Sequence, residues 1–248
     1  MIINLYPKKN QVDGSFNFAE ILEKKPIGFP HDNGQLKPYS NIFYWAHAFT
    51  SNKKSTIGLH PHKGFEILTF VIKGKINHYD TKLKNWIQLE EGDVQVIRSG
   101  SGISHSEEIL EQSEIFQIWF DPDLSQSLLK PASYNDYKQA DFKKTKSKDI
   151  IITHILNSNS VISIDSENVI INEYFFLKDS KSSLNLSINK IHSYFLIDGY
   201  LKIGNNNIYK GDFFTISNSD SVQIQTHKNS RLFEISSPVS TSYATYSS

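Results

Sequence analysis

The chain has 248 residues, with 26 basic and 26 acidic side chains, so its formal net charge is zero. This balance gives no general attraction to nucleic acid or to anionic membranes. The chain holds no cysteine, which excludes disulfides, thiolate metal ligands and cysteine nucleophiles. Because no apolar run approaches about 18 residues and no signal-peptide core opens the chain, we expect a cytoplasmic protein without nucleic-acid or membrane partners.

The first half of the chain predicts a series of short β-strands after a polar, turn-rich opening over residues 1–40. Apolar and aromatic runs at 42–49, 67–72 and 115–120 are separated by turns that contain glycine or aspartate. Many short strands at regular spacing, with turns between them, are typical of an all-β barrel or jelly roll. We therefore predict an all-β fold.

Two clusters of histidines and acids flank the central strands. His60, His62 and Glu66 belong to the first cluster, and His105 and Glu107 belong to the second. Side chains two residues apart share a face of a strand, so each cluster presents its members on one face. If the two strands are neighbours in a barrel, three imidazoles and a carboxylate converge and form a site for a first-row metal. Both glutamates face such a site, so the spacing leaves the carboxylate ligand open.

The segment after residue 120 interrupts the strand pattern. Residues 143–148 form a lysine-rich run, but nearby aspartates interleave the basic residues and no aromatic ladder accompanies them. We interpret this run as a solvated linker rather than a nucleic-acid surface. The predicted organisation is an N-terminal domain over 1–130, a linker over 131–149 and a C-terminal domain over 150–248.

The second half repeats the pattern of the first half and predicts a duplicated barrel. Gly74 and Gly199 follow similar apolar strands, and the turn at Gly92 resembles the turn at Gly211. When Gly74 is aligned with Gly199, the positions of His60, His62 and Glu66 are taken by Asn185, Ser187 and Ile191. These three residues do not make a metal site, so we predict that the C-terminal domain lacks metal ligands.

Several motifs together resemble one known family. They lie at residues 60–66, 92–95, 100–107, 116–119 and 130–134. On these residues the first 130 or so positions resemble the pirin family, a branch of the cupin superfamily with two barrels in one chain. The resemblance implies two tandem cupin β-barrels and iron bound by His60, His62, His105 and Glu107. It favours Glu107 over Glu66 as the carboxylate ligand. Lys63 stands where the family usually has arginine, and Arg98 where it often has threonine.

The ligands alone do not select one metal. Three imidazoles and a carboxylate suit Fe(II), Mn(II), Co(II) or Ni(II), whereas structural zinc sites usually use thiolates. Fe(II) is the expected ion, with Mn, Co, Ni or Zn as alternatives. Aromatic walls suited to a flat ligand are predicted from Phe43, Trp45, Phe65 and Phe116.

The resemblance to pirins implies two alternative functions. One is a metal-dependent dioxygenase of the quercetin 2,3-dioxygenase type, which cleaves flavonols with O₂ and in which Glu107 is both ligand and general base. The other is a non-catalytic regulator that senses metal or redox state and binds a protein partner, either a transcription factor or a metabolic enzyme. The open metal positions favour the dioxygenase.

Overall fold

The computed structural model describes residues 1–246, and nearly all of its regular structure is β-strand, as the sequence predicts. The first twelve strands are β1 (Ile2–Tyr6), β2 (Val12–Phe16), β3 (Ile21–Ile27), β4 (Ile42–Thr50), β5 (Ser55–His62), β6 (Glu66–Lys73), β7 (Lys75–Asp80), β8 (Trp86–Glu90), β9 (Val94–Arg98), β10 (Ile103–Ile109), β11 (Glu114–Phe120) and β12 (Ser133–Tyr137). The other strands are β13 (Lys143–Lys146), β14 (Ile150–Leu156), β15 (Ile170–Phe176), β16 (Lys181–Asn185), β17 (Lys190–Asp198), β18 (Tyr200–Ile203), β19 (Asn206–Tyr209), β20 (Phe213–Ser217), β21 (Ser221–Thr226) and β22 (Ser230–Pro238). The helices are α1 (Leu124–Ser127) and short 3₁₀ turns at Lys8–Asn10, Pro30–Asp32 and Gln139–Asp141.

The N-terminal unit comprises Gln11–Asp141, Ile164–Ser166 and residues 242–246. A seven-stranded sheet of order β12-β9-β6-β11-β4-β3-β2 and a four-stranded sheet of order β5-β10-β7-β8 form its two layers. Strand β4 is apolar and aromatic at nearly every position, and all but one of its residues are buried. Both faces of this strand therefore lie inside the unit.

The C-terminal unit comprises Met1–Asn10, Phe142–Ser163 and Glu167–Thr241. Its sheets have the orders β1-β20-β17-β22-β15-β14-β13 and β16-β21-β18-β19. Among the described residues, one cluster of fourteen buried side chains lies in its core and includes Tyr194 and Phe214, which stack with ring centroids 4.9 Å apart. The unit thus has the same combination of a seven-stranded and a four-stranded sheet as the N-terminal unit.

The two halves repeat one another in detail. Gly74 and Gly199 both have positive φ values, of 75° and 106°, and each is followed by a backbone N–H that donates to a serine. Lys75 donates to Ser113 Oγ at 2.9 Å, and Tyr200 donates to Ser230 Oγ at 3.1 Å. A side-chain Cβ at either glycine would meet that serine, so the repeat needs glycine at both places.

Unit boundaries in the structure differ from the predicted ranges: residues 164–166 and the segment that begins at Ser242 belong to the N-terminal unit instead of the predicted C-terminal domain. Strand β1 pairs with β20 and so belongs to the C-terminal unit, although it opens the chain. The predicted linker 131–149 is not irregular: it contains β12, which pairs with β9, and β13, which pairs with β14. Both strands lie at sheet edges and carry polar side chains, so they lack the apolar alternation by which strands are predicted.

Candidate metal centre

Pairing of β5 with β10 brings the three predicted histidines together. His105 lies opposite His60 and Ile103 lies opposite His62 in the antiparallel register. The Nε2 atoms of His62 and His105 are 2.9 Å apart, and the rings of His60 and His105 have centroids 4.4 Å apart. One ligand atom from each of the three histidines lies within 4.8 Å of the others. The sequence-predicted histidines thus form a single cluster of possible metal ligands.

Burial keeps the imidazoles of His62 and His105 neutral, and a hydrogen bond orients the ring of His60. The Nδ1 of His60 is 2.8 Å from the carbonyl oxygen of Gly58, which can only accept, so Nδ1 donates and Nε2 keeps its lone pair. Burial and the neighbouring His105 lower the pKa of His62 to about 3. Burial and the neighbouring His60 lower the pKa of His105 to about 2. Neutral imidazoles are the form that binds metals.

Glu107 lies on the same strand as His105 but belongs to a second group of possible metal ligands, which overlaps the first. The pairing of β10 with β5 shifts register between His105 and Glu107, so that Glu107 lies opposite Ile57. On its other side β10 pairs regularly with β7, where Glu107 lies opposite His78. Its carboxylate forms a group with His105 and His78 in which ligand atoms again lie within 4.8 Å of one another. The four predicted ligands therefore occupy two groups that share His105.

The carboxylate of Glu107 is buried and held in place by two polar neighbours. Gln117 Nε2 donates to its Oε2 at 2.6 Å, and Thr69 Oγ1 donates to its Oε1 at 3.3 Å. Glu107 is 1% exposed. Both donors come from the seven-stranded sheet, on β11 and β6, and they fix a carboxylate of the four-stranded sheet.

The carboxylate of Glu66, the other candidate ligand, already accepts hydrogen bonds from a distant segment of the chain. Its oxygens accept from the N–H of Asp165 at 2.6 Å, from the N–H of Ser166 at 2.9 Å and from the Ser166 hydroxyl at 2.6 Å. Its side chain is 1% exposed, and it belongs to neither group of possible ligands. The expectation that Glu66 faces the site is therefore wrong. Its partners lie about 100 residues away along the chain, which no local pattern reveals.

His78 is the residue that the sequence analysis missed. It lies on β7 with no exposed surface, and its ring stacks on Tyr134 with centroids 4.6 Å apart and an interplanar angle of 9°. Its Nε2 is 3.3 Å from the carboxylate of Asp80. The available signal was the His-x-Asp pair on a strand between the two histidine clusters, since residues two apart share a face.

A cavity of about 370 Å³ opens onto His60, His62 and Glu107. Its aromatic walls are Phe16, Phe29, Tyr44 and Trp119. The predicted wall of Phe43, Trp45, Phe65 and Phe116 is wrong: Trp45 and Phe116 are fully buried in the core, and Phe43 and Phe65 pack around Trp119 instead. Because β4 is buried on both faces, its sequence does not indicate whether its odd-numbered or its even-numbered residues face the cavity.

An acid also lines this cavity. Glu23 on β3 is 7% exposed, and the Tyr44 hydroxyl donates to its Oε1 at 3.4 Å. Burial raises the pKa of Glu23. Gly14 lies opposite Glu23 in the register, and a Cβ at Gly14 would lie 2.5 Å from the Glu23 carboxylate. The absence of a side chain at position 14 therefore leaves room for the carboxylate.

In the C-terminal unit, a buried hydrogen-bond network takes the corresponding place. Glu234 lies four residues after Ser230, as Gln117 lies four residues after Ser113. The Glu234 carboxylate accepts from Tyr194 at 2.8 Å, from Asn172 at 3.0 Å and from Tyr174, and it lies 2.8 Å from His192 Nδ1. Although burial alone would raise the pKa of Glu234, the bond from His192 and the other donors lower it. Within residues 1–246, the groups of possible metal ligands all lie in the N-terminal unit.

The depressed histidine pKa values predict how the stability of the metal-free protein depends on pH. Below about pH 6.5 the unfolded chain binds protons that the folded His62 and His105 do not, so the free energy of unfolding should fall as the pH falls. The loss continues towards the folded pKa values of about 3 and about 2. Urea unfolding in EDTA between about pH 5 and 7.5 measures this slope. His105→Ala should make it shallower, and an unchanged slope would contradict the assignment.

The structure also bears on membrane association. Among the described residues, no helix has the length and apolarity needed to cross a bilayer.

Known proteins are similar to this chain both in the N-terminal motifs and in the fold. Residues 23–120 match the pirin family model. A pirin-like protein of Caulobacter vibrioides is 49% identical over 65 residues, which are 25% of this chain and 28% of that protein. Quercetin 2,3-dioxygenase of Escherichia coli K12 is 33% identical over 99 residues, 39% of this chain and 40% of that enzyme. The matched segments thus span less than half the length of these relatives.

Solved structures resemble the chain over nearly its full length. The bacterial pirin YhhW of Escherichia coli, crystallised in complex with nickel(II), superposes with a TM-score of 0.77 at 19% identity, covering 96% of this chain and 99% of that one. Oxalate decarboxylase of Bacillus subtilis, described for its Mn(II) centres, superposes with a TM-score of 0.67 at 12% identity, covering 98% of this chain and 79% of that one. These likenesses confirm the predicted all-β fold of two tandem cupin barrels.

Proposed function

We propose that this chain, whose residues 23–120 match the pirin family model, is a metal-dependent dioxygenase. It would cleave flavonol-like substrates with O₂, as in the quercetin 2,3-dioxygenase reaction. The observation that carries this proposal is the cluster of three histidines beside Glu107, opening into a cavity with aromatic walls. A structural metal site would be closed, whereas His60, His62 and Glu107 line a cavity.

The residues fit a first-row divalent metal. His62 and His105 offer buried imidazoles whose lowered pKa values keep them neutral. His60 offers a half-buried imidazole oriented by its bond to Gly58, and Glu107 adds a carboxylate oxygen. This donor set suits iron, manganese, cobalt or nickel, and we propose Fe(II). When bound, the ion would supply Lewis-acid binding of the hydroxyl and carbonyl oxygens of the substrate and activation of O₂.

The cavity walls would orient a flat aromatic ring. Phe29, Tyr44 and Trp119 form one aromatic cluster, with centroids 4.8 Å apart for Phe29 and Tyr44 and 4.6 Å apart for Tyr44 and Trp119. The Trp119 ring also lies 5.3 Å from the ring of His62, so the apolar wall continues to the metal ligands. The cavity of about 370 Å³ is at the smaller end of the usual range for small-molecule sites. Glu23, whose pKa is raised by burial, also lines the cavity and offers a carboxyl group for a hydrogen bond with the substrate.

Glu107 is the proposed general base. It would take the proton of the substrate hydroxyl onto its carboxylate and return that proton to the product carboxylate. The bonds from Gln117 and Thr69 hold the carboxylate at the cavity wall in the meantime. In the balanced reaction one flavonol and one O₂ give a depside and carbon monoxide. Two carbon–carbon bonds of the heterocycle break, and both atoms of O₂ enter the depside.

The test is single-metal reconstitution. Protein stripped of metal is loaded without air with Fe(II), Mn(II), Co(II) or Ni(II), mixed with a flavonol, and exposed to air while flavonol absorbance and carbon monoxide are followed. We expect turnover with at least one ion and a loss of about 10²–10⁴-fold in Glu107→Gln. Glu108→Gln is the matched control, because its carboxylate bonds to Asn77 and Lys54 outside the cavity. Absence of turnover with all four ions would refute the proposal.

A further inference from the structure

His78 has the environment of a metal ligand, although it lies outside the set that the sequence predicts. Asp80 shares its strand, and the Asp80 Oδ1 atom accepts from the backbone N–H groups of Lys82 and Leu83, both at 2.7 Å. The other oxygen, Oδ2, lies 3.3 Å from His78 Nε2. Because the carboxylate is an acceptor, Nε2 of His78 donates the proton and Nδ1 carries the lone pair. A carboxylate that orients an imidazole in this way is the usual neighbour of a metal-binding histidine.

The lone pair of His78 has nothing to bind in the described part of the chain. His78 Nδ1 and His105 Nδ1 are both buried without a hydrogen-bond partner among residues 1–246, and both side chains have no exposed surface. A buried nitrogen left without a hydrogen-bond partner is unfavourable, and such groups are few in folded proteins. The Tyr134 ring, stacked on His78, keeps the imidazole from turning away.

The third member of the group is Glu107. It lies directly opposite His78 in the register of β10 and β7, while His105 lies opposite Asp80. One ligand atom from each of His78, His105 and Glu107 lies within 4.8 Å of the others. Two imidazoles and one carboxylate are a sufficient protein donor set for a first-row metal, and the carboxylate offsets part of the cation's charge.

We propose that His78, His105 and Glu107 form a second position for a divalent transition-metal cation, which can hold an ion without His60 and His62. His105 is common to both groups of possible ligands, whereas His78 and Glu107 belong to the second. His60, His62 and Glu107 line the cavity, whereas His78 and His105 do not. An ion at the second position therefore lies behind the cavity wall and is less accessible to a substrate than an ion held by His60 and His62.

Cobalt binding to variants tests this position without any measurement of catalysis. In the double variant His60→Ala/His62→Ala, the second position keeps all its ligands. We expect this variant to bind one Co²⁺ per chain, with visible absorption bands of a nitrogen- and oxygen-coordinated ion. Adding His78→Ala to the double variant should abolish that binding, and adding Asp80→Asn should weaken it by about 10–100-fold.

The matched control is His31→Ala in the same double variant. The His31 side chain is 79% exposed, so removing it tests for binding to surface histidines. Circular dichroism confirms that each variant is folded, and His78→Gln replaces His78→Ala if the alanine variant is not. The proposal is overturned if the folded double variant binds no Co²⁺, or if removal of His78 leaves its binding unchanged. Either result leaves the flavonol assay to decide the proposed function separately.

Discussion

Replacing His105 with alanine should remove bound metal from the protein altogether. His105 is the one histidine common to both groups of possible ligands, so no complete group survives its loss. Mutation of an outer-shell partner typically costs 10–100-fold in metal affinity or activity, so loss of a direct ligand should cost more than about 100-fold in metal affinity and in flavonol turnover. Elemental analysis of the purified protein measures the metal content.

His47→Ala is the matched control for this variant. His47 is also a buried histidine of the N-terminal unit, but its Nε2 lies 3.1 Å from the carboxylate of Glu114 and it belongs to neither group. Its removal should leave the metal content unchanged. If His105→Ala retained its metal at wild-type occupancy while folded, both groups of ligands would be wrongly assigned.

Replacing Glu66 with alanine should destabilise the N-terminal unit by about 3–5 kcal/mol, because it leaves two backbone N–H groups and a hydroxyl without their charged acceptor. All three tryptophans, Trp45, Trp86 and Trp119, lie in this unit, so tryptophan fluorescence reports on its unfolding alone. Urea unfolding followed in this way should show a lower midpoint.

The conservative variant Glu66→Gln separates a structural role from a metal-binding role. Glutamine keeps the size of the side chain and one acceptor oxygen, so its loss of stability should be smaller than that of alanine. Metal content should equal that of the wild type in every folded Glu66 variant. Metal loss in a folded, stable Glu66→Gln protein would instead restore Glu66 as a ligand.

The sequence predicts the features that depend on short-range periodicity. Short apolar strands between glycine and aspartate turns predict the barrels, and period two predicts that His60 and His62 share a face with each other. The repeated glycines Gly74 and Gly199 predict the duplication, and the structure shows equivalent serine contacts at both. Each of these inferences needs only neighbouring residues and the geometry of a strand.

Features that depend on contacts distant in sequence could not be predicted. Glu66 has the right parity for a ligand, but its acceptor atoms are taken by residues about 100 positions away. The register shift between β5 and β10 places Glu107 opposite Ile57, and a bulge leaves no mark in the residue pattern. The aromatic residues that line the cavity could not be predicted, because β4 is buried on both faces and its sequence does not alternate between apolar and polar residues.

The pairing of β1 with β20 has a consequence for synthesis on the ribosome. The two strands are separated by roughly 200 residues, and at about 5–20 residues per second the ribosome needs roughly 10–40 s to deliver the partner of β1. Most of the N-terminal barrel emerges during that interval and can begin to fold while β1 still lacks its partner strand. The nascent chain must therefore keep its first strand from pairing wrongly until its last hairpins are translated.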